Sequence, residues 1–106
     1  MLYKFKSRAT ADLVMLEAAG RRLLEVLGRE PSAQGIFEAT DLPALMQLLE
    51  RAIEQEEAML EQAEREAQAQ GQTIRRPEVS LRQRLWPMRE MMRRSQAEGH
   101  PIVWGV

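Results

Sequence analysis

The sequence contains no cysteine and only one histidine, His100. The lack of cysteine excludes a disulfide framework, a thiolate metal site and a cysteine nucleophile within this chain. A metal site would have to consist mainly of carboxylates, and the sequence has no ordered carboxylate loop. We therefore expect no metal and no cofactor. His100 stands between Gly99 and Pro101 at the end of a predicted helix, where an imidazolium would serve as a capping or surface cation.

Long apolar runs and clustered glycines are also missing. No stretch approaches the ~18 apolar residues of a membrane span, and the opening segment MLYKFKSRAT turns charged too early for a signal peptide. The six glycines are dispersed, which excludes a phosphate-cradling loop of either common spacing. The serines lack the motif of a nucleophile elbow. We expect a cytoplasmic protein without membrane contact, and the common enzyme motifs are absent.

Aromatic residues are few, and the net charge of −1 conceals an uneven distribution of charge. Only five aromatic residues occur among 106, so leucine and methionine should form most of the core of a globular domain. Residues 41–70 contain eight acidic and two basic residues, whereas residues 75–94 contain seven arginines and two glutamates. Such polarity either attracts an external partner or is cancelled by the two segments lying together.

The apolar periodicity predicts a single α+β domain over residues 1–106. Residues 2–6 and 102–106 carry the signals of strands that form a small sheet, and Ile36 with Phe37 predicts a third, very short strand. A first helix is expected from an N-cap at Thr10 to Gly28, with apolar residues at three- and four-residue steps. Gly20 in its interior indicates either two shorter helices or one helix packed closely against another backbone.

Two further helices are expected to form an antiparallel hairpin. The second begins at an N-cap, Thr40, has Pro43 in its first turn and ends at Gly71. The third runs from about residue 79 to residue 98, with a kink or a restart at Trp86 and Pro87. Residues 54–76 are expected to form a solvated helical extension and a linker. A turn near residues 71–77 would place Glu54 near Arg94 and Glu64 near Arg84.

The most specific surface pattern lies on the third helix. Four residues spaced four, three and four apart share one helical face and form what we term the arginine stripe: Arg82, Trp86, Arg89 and Arg93. Guanidinium groups bind phosphate and indole offers a stacking surface, as in nucleic-acid binding. The second helix carries an acidic row of the same spacing: Glu50, Glu54, Glu57, Glu61 and Glu64. Internal pairing with that row, a protein partner and nucleic acid remain three interpretations of the stripe.

Three blocks of the sequence carry a family resemblance: MLYKFKSRATADLVMLE, VSLRQRLWPM and PIVWGV. Together they resemble a bacterial family of short single-domain proteins described as a domain of unknown function, the one numbered 1840. The resemblance covers most of the chain and is weakest across the middle, which is rich in glutamate and glutamine. It implies a cytoplasmic protein of one domain and carries no activity, cofactor or site residue.

Taken together, these features favour an interaction or structural protein over an enzyme. Exposed helix surfaces would supply the contacts, with a second copy of the chain or another protein as partner. A nucleic-acid-binding accessory protein that uses the arginine stripe is the alternative. An enzyme ranks third because no pair of acid-base groups is placed by the sequence.

Overall fold

The computed structural model describes residues 2–105 and has the predicted α+β fold. The elements in chain order are β1 (Leu2–Lys6), β2 (Leu13–Leu16), α1 (Glu17–Val26), β3 (Gly35–Phe37), a short 3-10 turn (Ala39–Asp41), α2 (Leu42–Ala69), α3 (Leu81–Glu98) and β4 (Ile102–Trp104). The three helices, the strand at residues 2–6 and the very short strand at residues 36 and 37 are confirmed. The strand predicted for residues 102–106 is confirmed over Ile102–Trp104, and residue 106 lies outside the described residues.

All four strands belong to one antiparallel sheet in the order β2-β1-β4-β3. Phe5 lies opposite Trp104 between β1 and β4, and Ile36 lies opposite Val103 between β3 and β4. Side chains alternate across a strand, so one face of the sheet is buried under the helices and the other face is open. β1 and β4 therefore form the centre of the sheet, although they are far apart in the sequence.

The core has an aromatic layer on the sheet and an aliphatic layer on the helices. Four of the five aromatic residues form the first layer, with ring centroids 4.7 to 6.3 Å apart: Tyr3, Phe5, Phe37 and Trp104. The helices contribute the leucines, the isoleucine and the methionines of the second layer: Leu23, Leu24, Leu42, Leu45, Leu49, Ile53, Leu85, Met88, Met91 and Met92. Aromatic side chains are thus scarce but concentrated where β1, β3 and β4 meet.

The predicted first helix is wrong over residues 11–16. Residues 13–16 form strand β2, which pairs with β1, and α1 begins only at Glu17. Thr10 caps no helix, and its hydroxyl donates to the Ala11 carbonyl at 2.9 Å. The leucine spacing fits a helix locally, but pairing with β1 places Met15 in the core while Leu16 faces solvent. Tertiary strand pairing therefore overrides the local pattern.

Gly20 is part of an unbroken helix that packs closely against a side chain of β1. A Cβ atom at this position would lie 2.3 Å from Cδ2 of Tyr3 and 2.9 Å from its Cβ. Any side chain larger than hydrogen at this position would have to displace Tyr3 or the helix. The glycine thus allows α1 to lie close to the sheet. Of the two alternatives, one closely packed helix is correct, but its close neighbour is a side chain and not the expected backbone.

The expected N-cap of the second helix is also wrong by one residue. Thr40 lies inside the 3-10 turn, and the N-cap of α2 is Asp41, which makes no side-chain capping bond. The backbone of the turn supplies a bond instead, because the amide of Asp41 donates to the Glu38 carbonyl at 2.9 Å. Pro43 does lie in the first turn, and α2 ends just before Gly71, as predicted.

The third helix begins with a feature that the sequence analysis overlooked. Ser80 and Gln83 form a reciprocal capping box. Helix α3 then continues to Glu98, so of the kink or restart predicted at Trp86 and Pro87, the restart is wrong. Pro87 is exposed. The Gln83 carbonyl, which loses its helical partner to the proline, can therefore bind water rather than break the helix.

Helices α2 and α3 form the predicted antiparallel hairpin, but in a different register. Arg82 pairs with Glu57 and Arg89 with Glu50, so α3 lies about two and a half turns nearer the start of α2 than expected. The predicted proximity of Glu64 to Arg84 is wrong, because Glu64 pairs with Arg76 of the linker. The linker therefore runs back beside the last turns of α2. The prediction had instead placed the turn of the hairpin within the linker, near residues 71–77.

Replacing Gly20 by alanine should destabilise the protein despite the helix-favouring nature of alanine. The clash with Tyr3 should cost ~1 to 3 kcal/mol, against a gain of ~1 kcal/mol in helix propensity. The matched control is Ala18→Gly at an exposed position of the same helix, where alanine should be the more stable residue. Urea unfolding of both variants checks the prediction, and a stabilised Gly20→Ala variant would contradict the close contact.

The seam between α2 and α3 should depend on apolar burial more than on its ion pairs. Leu85 is buried, so Leu85→Ala should reduce the free energy of unfolding by ~2 to 5 kcal/mol. Arg84→Ala at the neighbouring exposed position and Glu64→Ala at an ion pair should each cost about 1 kcal/mol or less. Denaturant melts of the three variants provide the measurement. Equal small losses would mean that Leu85 does not stabilise the seam.

Candidate functional site

The arginine stripe lies on the side of α3 that borders the acidic row of α2. Three of its members are exposed, whereas Arg89 is partly buried. Because α2 and α3 are antiparallel and adjacent, the equal spacing of the two rows brings guanidinium groups and carboxylates into contact. The site is therefore the seam between two oppositely charged helices.

Each arginine of the stripe donates to a carboxylate. Nε and Nη2 of Arg82 both donate to Oε1 of Glu57, at 3.2 and 2.7 Å. Arg89 donates through Nε to Glu50 at 3.0 Å and through Nη1 to Glu90 at 3.2 Å. Nε of Arg93 donates to the other oxygen of Glu90 at 3.0 Å. The arginines thus already have anionic partners within the chain.

These ion pairs shift the pKa of one arginine of the stripe and of one carboxylate that binds the stripe. The hydrogen bond with Glu57 raises the pKa of Arg82, with smaller contributions from the charges of Glu57, Glu54 and Glu50. The hydrogen bond from Arg93, reinforced by its charge and by Arg89, lowers the pKa of the Glu90 carboxyl. Both shifts favour the charged forms and are consequences of the pairing.

Trp86 contacts two arginines of the stripe. The guanidinium carbon of Arg89 lies 4.9 Å from the centre of the ring and that of Arg82 lies 5.6 Å from it. The indole is 37% exposed. Cation–π contacts of this kind occupy the surface on which a nucleic-acid base would stack. A depression of about 220 Å³ beside the ring is lined by Glu50 and Glu54 as well as Arg82, which disfavours an anionic ligand there.

A second surface, the outer edge of β2, was missed by the sequence analysis because these residues were assigned to a helix. β2 is an edge strand of sequence LVML, without charge, proline or glycine. Val14 is 52% exposed and Leu16 is 72% exposed. Apart from the ladder to β1 and the first turn of α1, no hydrogen bond within residues 2–105 reaches the backbone of β2. All four residues of β2 are apolar, so the sequence shows no polar–apolar alternation that could have identified this strand.

The opposite edge of the sheet is protected. Nη1 of Arg29 donates to the Ile36 carbonyl of β3 at 3.3 Å, and Nη2 of the same side chain lies 3.6 Å from a carboxylate oxygen of Asp41. The guanidinium carbon lies 5.5 Å from the centre of the Phe37 ring. A charged side chain across an edge is a common means of preventing strand addition. The two edges of this sheet therefore differ in their capacity to accept another strand.

The described part of the chain offers neither a metal cluster nor a membrane span. Among residues 2–105, no three histidine, aspartate or glutamate side chains are arranged to hold a metal ion. No helix in this range has both the length and the apolar character needed to cross a membrane. His100 follows the C-cap glycine of α3, and its amide donates to the Ser95 carbonyl at 2.8 Å.

Comparison with known proteins identifies the family. No curated protein and no solved structure matched this chain. One family model, described as Domain of unknown function (DUF1840), matches residues 1–104. That range includes the strands, the helices and the whole of the arginine stripe, so the chain belongs to the DUF1840 family.

Proposed function

We propose that this chain is a self-associating interaction protein of the bacterial cytoplasm, in which two copies pair through the outer edges of their β2 strands. The observation that carries the proposal is the contrast between the two sheet edges. β3 is capped by Arg29, whereas β2 presents unpaired backbone groups beside exposed apolar side chains. An uncapped apolar edge strand is a template for pairing with another chain.

A second copy fits this edge because β2 is self-complementary. Two identical strands related by a two-fold axis pair antiparallel, and paired residues point to the same face of the joint sheet. With Met15 opposite its own copy, Val14 of one chain lies opposite Leu16 of the other. This register keeps the methionines on the helix-covered face and the exposed residues on the open face.

The side chains around the edge also favour association. Leu2 lies opposite Leu16 in the β1–β2 register, so the exposed residues of both chains would form one apolar patch across the axis. No charged residue occurs within β2, so like charges do not meet at the axis. Burial of such residues contributes about 25 cal/mol for each Å² removed from water, in addition to the new backbone hydrogen bonds.

The helix surfaces offer a weaker basis for the same function. Met59 and Leu48 of α2 are exposed beside Leu81, around a depression of about 450 Å³ that also contains charged residues. This area has no unpaired backbone groups that require a partner. Nucleic-acid binding through the arginine stripe receives less support still, because all three guanidinium groups bond to carboxylates of the same chain.

Val14→Lys should separate the two copies without unfolding either. Lysine on an edge strand opposes strand addition, and position 14 is exposed enough to accept it. The dissociation constant of the dimer should rise about tenfold or more, as measured by light scattering coupled to gel filtration over a wide range of concentrations. The matched control is Ile36→Lys on the capped edge, where the starting residue is also β-branched and partly exposed. It should leave the dimer intact.

Other outcomes would identify other interfaces. If Met59→Lys separates the copies and Val14→Lys does not, the contact lies on the helix surface. If the unmodified chain is a monomer at every concentration, self-association through β2 is wrong. Strand addition from a different protein would then be the remaining role for this edge.

A further inference from the structure

A second feature of the molecule, unrelated to self-association, is a basic cleft at one end of the central strands. It is open to solvent, has a volume of about 440 Å³, and is lined by residues from two loops, the end of β1 and the middle of β4: Lys6, Ser7, Arg8, His100, Pro101 and Val103. Lys6 and Val103 are partners in the β1–β4 register, which brings the two halves of the cleft together. The volume is within the usual range for small-ligand sites.

The cleft differs from four other depressions on the surface in its charge. Glu61 and Glu64 line one of these depressions, Glu50 and Glu54 the second, Glu56 the third, and Asp12 with Glu90 the fourth. The basic cleft has three side chains that can carry positive charge and no carboxylate in its lining. In a protein with a net charge of −1, such a place attracts anions.

The basic side chains of the cleft have no acidic partner in the described chain. None of the seven ion pairs found among residues 2–105 includes Lys6, Arg8 or His100. Asp12, which immediately precedes β2, pairs with Lys4 at 3.6 Å. The situation is opposite to that of the arginine stripe, where carboxylates of the same chain already bind the guanidinium groups.

Hydrogen bonds hold both loops of the cleft in place. The hydroxyls of Ser7 and Ser95 are 2.7 Å apart, and Ser95 is completely buried in α3. The amide of Ala9 donates to the Ser7 hydroxyl at 3.2 Å, which defines the turn that carries Arg8. On the other side, the bond between the His100 amide and the Ser95 carbonyl defines the backbone after α3. A ligand therefore meets backbone that is already ordered, which reduces the entropic cost of binding.

We propose that this cleft binds the phosphate group of a small organic phosphate. Lys6, Arg8 and His100 would contact the phosphate oxygens from two sides, and the guanidinium can form two parallel bonds to them. Pro101 and Val103 form an apolar wall against which a carbon-containing part of the ligand packs. A dianion with several free oxygens matches three separate donors better than a single carboxylate does.

Chemical-shift titration of the full chain with inorganic phosphate and with phenyl phosphate tests the proposal. Both probes should cause saturable shifts at the amides of Ser7, Arg8 and His100. Phenyl phosphate should bind more tightly because of the apolar wall, and benzoate should bind more weakly than either phosphate. Sodium chloride at the same ionic strength should cause no saturable shift at these amides.

Conservative variants locate the binding. Lys6→Gln and Arg8→Gln should each weaken binding of phenyl phosphate by roughly fivefold to tenfold. Lys4→Gln, two residues earlier on the same strand, and Arg84→Gln, an exposed arginine of α3, are the matched controls and should leave it unchanged. The spectra themselves show whether each variant is folded. Shifts that do not saturate, or equal losses in the variants and the controls, would overturn the proposal.

Discussion

The pairing of β1 with β4 is the interaction on which the rest of this structure depends. It joins Phe5 to Trp104, places their rings 5.6 Å apart, and gives Phe37 of β3 an aromatic neighbour 4.7 Å away. The helices pack on this aromatic layer with leucine and methionine. The same pairing brings Lys6 to Val103 and so forms the basic cleft. One long-range strand contact therefore determines both the core and a candidate binding site.

Charged residues have different roles in the seam between α2 and α3 and in the basic cleft. Along the seam of α2 and α3, Arg82 pairs with Glu57 and Arg89 pairs with Glu50, and ion pairs near the surface contribute little to stability. Their more important effect is to occupy the arginines and to define how α3 lies against α2. In the basic cleft, no carboxylate lies in the lining to pair with Lys6, Arg8 or His100. The arginines of the seam are therefore paired within the chain, whereas the basic side chains of the cleft are not.

The two edges of the sheet also differ in whether the chain itself covers them. β3 follows a loop from which Arg29 reaches its backbone, so this edge is closed within the chain. β2 leads directly into α1, which packs on the face of the sheet and leaves the outer edge uncovered. Gly20 contributes to this arrangement because it lets α1 lie close to Tyr3 on the face of the sheet.

Most of the local structure was predictable because its causes are local. The apolar faces of α2 and α3 follow from residues such as Leu49, Ile53, Leu85 and Met88, which recur with the period of a helix, and Gly71 marks the end of α2. The capping box at Ser80 was equally readable from its spacing, although it was overlooked.

Contacts between distant residues decided the rest. Leu13–Leu16 became a strand because β1 was available to pair with it, and no pattern within four residues can report the position of a distant strand. The register of α2 against α3 depended on the path of the linker. The assumption of a symmetric antiparallel hairpin did not predict that path. The cleft was hidden in the sequence because Lys6 and Arg8 are far along the chain from His100. Sequence thus determined which segments could be helical and which faces are apolar, whereas only tertiary pairing determined which charges and edges remained available for a partner.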